Sequence, residues 1–566
     1  MKMLIVMSEE IEPTPSSRKR LWVMVAVVIV IVIIIGASFA YVSTRSPNNT
    51  KPALTQAQQT LSATWANVPN MDPAIGSDEA SSAALLNVYD TLIFPTASGT
   101  VVPDLATSWN ISSNGLVYTF HLRSGVTFHN GDTLNATDVV FSMDRMLTMG
   151  QGYSYLFSPY IANTTAPNSN NVIFTLKTPF APFLSSLVRL YVLDEKQVMA
   201  HLGTGSYGSN GDYGSTWLLT HDAGSGPYEV IAANLETNIT IEEYLNYWNG
   251  TTPNQPKYMN FIGTTQTSTV QALFSSKGIQ ITDMWQEYST VTNLASQAGA
   301  KMATYLSSEE MYLMINTQKA PTDDIYVREA MAFALNYTAI VDQAFPGNAV
   351  SAGPIPKVLP GHDGSIPTST QNLTLAKQLI EQSKYYGNLS KYPVTYYWIT
   401  QVPAEQKMAL QFASDMAAIG ITVNVVGVPW LTVVADLANE SSSPNIVSIE
   451  NAASYFEAGS ILQEMFTTAA VGTWEQNFWL SNNSISYAIA SAVTIQNQTQ
   501  RFQAYDKIQQ EIYNQYMGIY PFDVTETRAY YPSIVDWYAA NGQTIGLLGY
   551  DWVLRDFIFN ATAMPA

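Results

Sequence analysis

Apolar and polar positions alternate most regularly between residues 116 and 122. A period of two places the apolar side chains on one side of an extended chain, which predicts a half-buried strand. These side chains are Leu116, Tyr118, Phe120 and Leu122. The Asn-Gly pair within residues 129–132 predicts a turn, because both residues tolerate a positive φ.

Beyond residue 137 the apolar spacing changes to three and four residues, which predicts a helix that begins at Thr137 and Asp138. Its apolar face consists of Val139, Val140, Met143, Met146 and Leu147. The same spacing at residues 327–335, 408–416 and 502–512 predicts further helices, and alternation at residues 421–425 predicts another strand. These stripes indicate packing and not a site.

One apolar run is of a different kind. Residues 21–42 contain no charged side chain and, at ~1.5 Å per residue, are long enough to cross the ~30 Å core of a bilayer. The basic residues near the run are Lys2, Arg18, Lys19 and Arg20 before it, and Arg45 and Lys51 after it. The positive-inside rule therefore predicts a cytoplasmic tail at residues 1–20, one transmembrane helix, and the bulk of the chain on the extracellular face. Ser-Phe-Ala at residues 38–40 leaves a cleaved secretory signal as the alternative. Residues 43–66, rich in Ser, Thr, Asn, Gln and Ala, predict a linker.

Composition excludes several classes of function. The 566 residues exceed one ordinary domain, and a hydrophobic content of 47% predicts a globular protein. The net charge of −19 argues against a nucleic-acid partner. The absence of cysteine excludes thiol catalysis, disulfides and a lipid-modified cysteine anchor. N-x-Ser/Thr sequons occur thirteen times outside residues 21–42, so surface glycosylation and a merely Asn/Thr-rich surface both remain open.

Motifs of enzymes and of metal sites are absent from the chain. The five histidines form neither H-E-x-x-H nor a pair four residues apart, and no G-x-S-x-G occurs. Gly203, Gly205 and Gly208 satisfy G-x-G-x-x-G, but a Gly/Ser/Asn/Tyr loop follows where a dinucleotide site needs a helix. We therefore expect neither an enzyme nor a cofactor.

Five short strings stand in one order within residues 87–146: V-Y-D-T-L, P-D-L-A-T-S-W, Y-T-F-H-L-R, F-H-N-G and D-V-V-F-S. Their order and spacing resemble the solute-binding proteins of ABC importers, in the extracellular oligopeptide- and dipeptide-binding family, solute-binding protein family 5. The strings S-G-P-Y at residues 225–228 and Y-W at residues 247–248 continue the resemblance. It extends from about Met71 to the end of the chain.

The resemblance implies a two-lobed, periplasmic-binding-protein-like α/β fold of three domains. Lobe I is expected at residues 67–95, 220–306 and 533–566, the small inserted domain II at residues 96–219, and lobe II, which is domain III, at residues 307–532. The implied partners are the permease subunits of an ABC importer with their ATPases, and a monomer is expected. The implied function is capture of an oligopeptide or dipeptide between the lobes.

In this family the ligand lies between the first and third domains, so the resemblance places the ligand-binding residues in particular segments. They are Ser77, Asp78 and Glu79 after the opening Asp-Pro, Trp285 and Gln286 after the strand at residues 278–281, Trp430, and Asn451, Ser454, Tyr455 and Glu457.

Residues 450–458 depart from the family pattern G-W-x-x-D-Y-x-D-P. Asn451 replaces the tryptophan, and Ser454 replaces the aspartate that pairs with the α-amino group of a peptide. A hydroxyl cannot neutralise a buried ammonium, although Glu457 could do so. A neutral oligosaccharide is therefore the alternative ligand, and its aromatic platforms would be Trp285, Trp430 and Tyr455. Alternatives of another class are a sensor ectodomain, for which the tail has no signalling module, and a surface hydrolase.

The predicted topology can be tested with protease added to intact cells. Digestion should remove the extracellular mass and spare residues 1–20, because the membrane shields the tail. Immunoblotting with antibodies against the extracellular mass and against residues 1–20 shows which of these two parts has been digested. Complete protection of the extracellular mass would contradict the topology.

Overall fold

The computed structural model describes residues 54–479 and 483–565, and every structural statement below concerns these residues. The predicted tail and transmembrane segment, residues 1–20 and 21–42, lie outside them. Within the described ranges, no helix is both long and apolar enough to cross a membrane.

The strands are given in chain order: β1 (Thr60–Trp65), β2 (Ile93–Pro95), β3 (Val101–Pro103), β4 (Ala106–Ile111), β5 (Val117–Leu122), β6 (Ile161–Asn168), β7 (Asn171–Leu176), β8 (Tyr228–Asn234), β9 (Asn238–Glu243), β10 (Tyr258–Gly263), β11 (Lys301–Ile315), β12 (Val394–Ile399), β13 (Val423–Val428), β14 (Ile446–Ala452), β15 (Gly518–Tyr530), β16 (Val535–Asp536) and β17 (Ile558–Phe559).

The α-helices are α1 (Glu79–Val88), α2 (Ala136–Met149), α3 (Phe183–Ser186), α4 (Glu195–Ala200), α5 (Ser215–Leu218), α6 (Thr267–Ser275), α7 (Tyr288–Ala295), α8 (Ile325–Ala334), α9 (Tyr337–Ala339), α10 (Leu373–Gln382), α11 (Pro403–Ala417), α12 (Trp430–Leu437), α13 (Ala458–Phe466), α14 (Asn483–Ala492) and α15 (Gln498–Asn514).

Three larger sheets organise the described chain. The first has the order β1-β10-β9-β8, in which β1 and β10 run parallel and the other pairs antiparallel. The second, β4-β5-β7-β6, is antiparallel throughout. The third has the order β13-β12-β14-β11-β15, in which the first three strands are parallel and β11 runs antiparallel to both of its neighbours.

Each of the three sheets is built largely from a different part of the chain. The second sheet lies entirely within residues 96–219, and β8, β9 and β10 lie within residues 220–306. Most of the third sheet lies within residues 307–532, but β11 crosses the expected boundary at residue 307. The division into domains itself remains a prediction.

The end of the predicted linker at residue 66 is wrong. Residues 60–65 form β1, which pairs in parallel with β10 and buries Leu61, Ala63 and Trp65 completely. These apolar residues alternate with Ser62 and Thr64, so a period of two was present. The high Ser, Thr and Gln content of the segment made this alternation hard to recognise.

The local patterns are otherwise confirmed. Strand β5 buries Tyr118, Phe120 and Leu122. Helix α2 begins at a capping box formed by Asn135 and Asp138. The helical stripes correspond to α8, α11 and α15, and the alternation near residue 421 corresponds to β13. The turn at residues 129–132 contains a glycine at φ +90°.

The third sheet buries a different core on each face. Met311, Leu313 and Ile315 of β11 pack with α8, α10 and α11 in one core. Tyr312 and Met314, which alternate with them, belong to the larger core that also contains the first two sheets. The sheet is therefore covered on both sides.

A buried ion pair connects α2 to the segment before α1. Both Nη atoms of Arg145 donate to the carboxylate of Asp72 at 2.6 Å, and neither side chain is exposed. The Nε of Arg145 donates to the carbonyl of Tyr213 at 2.9 Å. Each charge is out of water and depends on the other.

Asp72→Asn should lower the free energy of unfolding by ~3–5 kcal/mol, because it leaves the guanidinium of Arg145 buried and uncompensated. Urea denaturation measures the change. The control is Lys196→Gln, which removes an exposed ion pair with Asp132 and should change stability by less than ~1 kcal/mol. Equal effects of both variants would contradict the argument.

Glu405 of α11 is buried without a cation in contact. Its Oε2 accepts hydrogen bonds from the amide of Ile399 at 2.8 Å and the hydroxyl of Ser448 at 2.6 Å. Burial raises the pKa of Glu405 to about 8, and the two hydrogen bonds only oppose the shift.

Because the pKa of Glu405 is higher in the folded state than in the unfolded chain, its contribution to stability is complete below the unfolded pKa and is lost as pH rises through 8. Between about pH 5 and about pH 9 the loss should be roughly 2–5 kcal/mol. In Glu405→Gln this part of the pH dependence should disappear, whereas exposed Glu381→Gln should retain it. Denaturation curves recorded across this pH range measure the free energy of unfolding. If this free energy changes with pH in the same way in wild type and in Glu405→Gln, the raised pKa does not belong to Glu405.

Candidate binding cleft

Strands β11 and β15 connect the fold to the site. Their pairing shifts register between Leu306 and Glu310, so Ser307, Ser308 and Glu309 form a β-bulge. A bulge bends its strand and re-aims side chains. Here it brings Glu309 to the wall of a cavity that Glu79 and Asp551 also line.

Two cavities meet at Glu526, and we call them together the cleft. The first is lined by Glu79, Tyr305, Leu306, Ser307, Ser308, Glu309, Ala452, Glu526, Thr544, Ile545, Gly546, Leu547, Leu548, Gly549 and Asp551. The second includes Trp285, Gln286, Tyr288, Val402, Ala404, Glu450 and Glu526. The lining residues come from β11, β14 and β15, and from the segments around α1, Trp285 and residue 549.

Five acidic residues lie together here: Glu79, Glu309, Glu450, Glu526 and Asp551, which we call the cleft carboxylates. The guanidinium of Arg528 contacts two of them, Glu79 and Glu526, the latter at 2.9 Å. Tyr305 donates to Glu526 at 2.6 Å, although Asp551 also lies 2.8 Å from the same hydroxyl. Among the described side chains, Arg528 therefore pairs with two of these five carboxyl groups.

Arg528 is itself fully buried, and aromatic rings surround it. Its guanidinium carbon lies 5.5–6.0 Å from the ring centroids of Trp65, Trp537 and Trp552. Cation–π attraction compensates part of its lost hydration. The chain thus places this charge in contact with Glu79 and Glu526, which line the cleft.

Burial shifts the titration of these acids. It raises the pKa of Glu79 to about 7, against the opposing charge of Arg528, and that of Asp551 to about 8. The pKa of Glu309 is well above its usual range, first because of burial and then because Glu526 and Glu450 are near. Burial likewise raises the pKa of Glu450.

Several polar atoms in the cleft walls lack a hydrogen-bond partner among the described residues. They are Oε2 of Glu79, Oε2 of Glu309, Nε1 of Trp285 and Oε1 of Gln286. Trp285 and Gln286 are held by Asp283, whose carboxylate accepts from the amide of Trp285 and from Nε2 of Gln286. Buried polar atoms without partners are uncommon in folded proteins, so a ligand is a natural source of the missing bonds.

A second group of polar residues, two of them glutamates, lies around Ser454. Its members are Tyr155, Ser454, Glu464 and Glu475, which we call the Ser454 group. The hydroxyls of Tyr155 and Ser454 are 2.8 Å apart, and Ser460 donates to the carboxylate of Glu464. Burial raises the pKa of both glutamates, and Glu464 adds to the shift of Glu475. Neither forms an ion pair with another described side chain.

The Ser454 group lies where two parts of the chain meet. Tyr155 comes from residues 96–219, whereas Ser454 and Glu464 come from residues 307–532. Arg189 spans the same junction, because its Nε donates to the carbonyl of Ser454 at 2.9 Å and its Nη1 to that of Leu548 at 3.1 Å.

Among the residues expected from the sequence, Glu79, Trp285 and Gln286 line the cleft. Ser77 and Asp78 have local roles at the start of α1. The side chain of Asp78 caps the helix by accepting from the amide of Ser81 at 2.8 Å, and the carbonyl of Ser77 accepts from Tyr153 at 3.2 Å.

The expected aromatic and amide contacts lie elsewhere. Tyr455 is completely buried and its hydroxyl donates to Gln463, so its ring is core. Trp430 packs edge-on against Trp474, with ring centroids 5.1 Å apart. Asn451 pairs opposite Glu310 and therefore faces away from the side of β14 that carries Glu450.

Glu457 is not a free carboxylate in this structure, and its role as an ammonium anchor stays a prediction. Arg501 donates to both of its oxygens, at 2.9 and 2.7 Å, and Tyr505 donates to it at 2.7 Å. A bidentate pair of this kind satisfies the charge of Glu457 within the fold.

Sequence reasoning missed Glu309, Glu450, Glu464 and Glu526. One signal was available: Ser-Ser-Glu-Glu at residues 307–310 stands directly before the apolar run at residues 311–315, and polar residues in a buried strand suggest a bulge. No comparable signal marks Glu464 or Glu526, because they reach the site from distant segments.

Comparison with known proteins agrees with this architecture. The chain is 23% identical to DppA, the ABC transporter-associated periplasmic binding protein of Helicobacter pylori solved with the peptide STSA, with a TM-score of 0.76 over 87% of this chain and 97% of that one. This likeness shows the two-lobed, periplasmic-binding-protein-like α/β fold.

Sequence relatives support the assignment. Heme-binding protein A of Haemophilus influenzae is 27% identical over 422 residues, which is 68% of this chain and 74% of the relative. Di/tripeptide-binding protein 2 of Pseudomonas aeruginosa is 30% identical over 379 residues, which is 62% and 68% respectively. Residues 100–473 match the family described as bacterial extracellular solute-binding proteins, family 5. The chain therefore belongs to the bacterial extracellular solute-binding proteins of family 5.

Proposed function

We propose that this protein binds a peptide in the cleft, outside the cytoplasm, and delivers it to the permease subunits and ATPases of an ABC importer. The observation that carries the proposal is the set of unpartnered polar atoms in the cleft walls, on Glu79, Trp285, Gln286 and Glu309. A peptide supplies amide donors, carbonyl acceptors and an ammonium, which are the partners these atoms lack. The names of the relatives that bind dipeptides and tripeptides support the same ligand class.

The α-ammonium of the peptide is assigned to the Ser454 group. Glu464 reaches the hydroxyl of Ser454 from α13, one turn beyond Ser460. It supplies the negative charge that Ser454 lacks, and Glu475 adds a second carboxylate. Glu457 is the less favourable candidate, because Arg501 already pairs with it.

The oligosaccharide alternative has less support. Of its three aromatic platforms, only Trp285 lines the cleft, while Tyr455 is core and Trp430 packs on Trp474. A neutral sugar also has no positive charge that could pair with the cleft carboxylates. No observation on the described chain favours a sensor or a hydrolase, and a binding protein needs no catalytic residue.

The remaining parts of the proposal come from the sequence. Residues 21–42 anchor the protein in the cell membrane in a single pass, with the lobes on the extracellular face. Lobe I, domain II and lobe II keep the boundaries given above, and the linker ends before β1. The protein acts as a monomer.

The anchor can be tested with trialanine and N-acetyl-trialanine in calorimetry. Acetylation removes the ammonium, so wild type should bind the free peptide about ten- to a hundred-fold more tightly, the equivalent of a charge-assisted hydrogen bond of roughly 1.5–3 kcal/mol. In Glu464→Gln this discrimination should largely disappear, whereas it should persist in exposed Glu440→Gln.

Two outcomes would count against this assignment. Equal affinity of wild type for both peptides would show that no carboxylate anchors the ammonium. Loss of discrimination in Glu457→Gln, with Glu464→Gln unaffected, would return the anchor to the residue that the sequence suggested.

A further inference from the structure

The cleft carboxylates outnumber the cation that they contact. Arg528 contacts Glu79 and Glu526, and no ion pair within the described chain includes Glu309 or Glu450. The electrostatic neighbours of Glu309 are Glu526, Glu450, Glu79 and Asp551, and those of Glu450 are Glu405, Glu526 and Glu79. The shortage of positive charge is therefore local to this part of the cleft.

The unpartnered atoms show which chemistry is missing. Oε2 of Glu309 and Oε1 of Gln286 both belong to side chains that are only 6% exposed, and both side chains line the cleft. Oε2 of Glu79 is the third. All three are acceptors, so each of them lacks an N–H or O–H donor, and a charged group with several N–H bonds can supply such donors. The indole of Trp285 offers an aromatic surface beside Glu450 and Glu526.

We propose that the cleft carboxylates bind a positively charged side chain of the ligand, so that the protein selects peptides that contain arginine or lysine. The inference rests on the proposed function of peptide capture and adds a substrate class to it. Arginine fits the acceptors best, because its guanidinium presents five donors in a fixed plane and stacks on indoles.

The N-terminal ammonium of the peptide is a second source of the same chemistry, but a different group in the structure accounts for it. Glu464 accepts a hydrogen bond from Ser460 and lies beside Ser454 and Tyr155, and none of these residues lines the cleft. Glu309 in turn lines the cleft, whereas neither Glu464 nor Glu475 does. The N-terminal ammonium and the cationic side chain of one peptide are therefore assigned to two different acidic groups.

The test uses the full-length protein and tripeptides in which arginine or citrulline occupies each position of an alanine background, with free and with acetylated N-termini. Citrulline has nearly the shape of arginine and no charge. At one position, wild type should bind the arginine peptide at least about tenfold more tightly than its citrulline counterpart, since charged hydrogen bonds are the stronger ones. This comparison needs no variant.

Glu309→Gln and Glu450→Gln each remove one charge and retain an acceptor. Both should bring the arginine-to-citrulline ratio of affinities close to one, and exposed Glu440→Gln should leave the ratio unchanged. Thermal unfolding followed by circular dichroism identifies a variant that has not folded. Because the two residues lie on different strands, one variant suffices if the other is lost.

The outcomes separate this inference from the proposed function. Equal binding of arginine and citrulline peptides at every position overturns the cation site and leaves peptide capture intact. Loss of the acetylation effect in Glu309→Gln also overturns it, because the cleft carboxylates would then hold the N-terminal ammonium. No binding of any peptide would instead refute the proposed function.

Discussion

The burial of more carboxyl groups than cations is the constraint on which the site of this protein depends. A carboxylate removed from water requires a proton, a cation or hydrogen bonds. Glu79 and Glu526 have Arg528, and Glu457 has Arg501. Glu309 has no ion-pair partner among the described side chains, although it is almost fully buried. Burial raises the pKa of Glu309 and so favours its neutral form, which lowers the cost of this charge deficit.

The same strands that build the third sheet deliver these acids to the cleft. In β11 the residues beyond the bulge alternate between two apolar cores, whereas the bulge itself presents Glu309 to a cavity. Strand β15 contributes Glu526 and Arg528 from the neighbouring position. The site is therefore held in part by a strand that is paired on both sides, which restricts the positions of its charges.

Most of the local structure could be predicted from the sequence, because it depends on periodicity and capping. The alternation around Tyr118 and the cap at Asn135 each involve residues close together in the chain. The candidate site could be predicted only in part. Family resemblance pointed to Glu79, Trp285 and Gln286, which line the cleft, whereas Tyr455 and Glu457 have partners within the fold. These partners are Gln463, Arg501 and Tyr505, which no local pattern links to Tyr455 or Glu457.

The sequence by itself determined the type of the elements, the family and the acidic balance of the chain. Only the tertiary structure decided which acids are paired and which are not. Arg501 reaches Glu457 across 44 residues, and Arg528 reaches Glu79 across 449. Whether a buried carboxylate has a partner depends on contacts within a few ångströms. Such contacts form between segments that are far apart along the chain, so the sequence does not show that they are close in space.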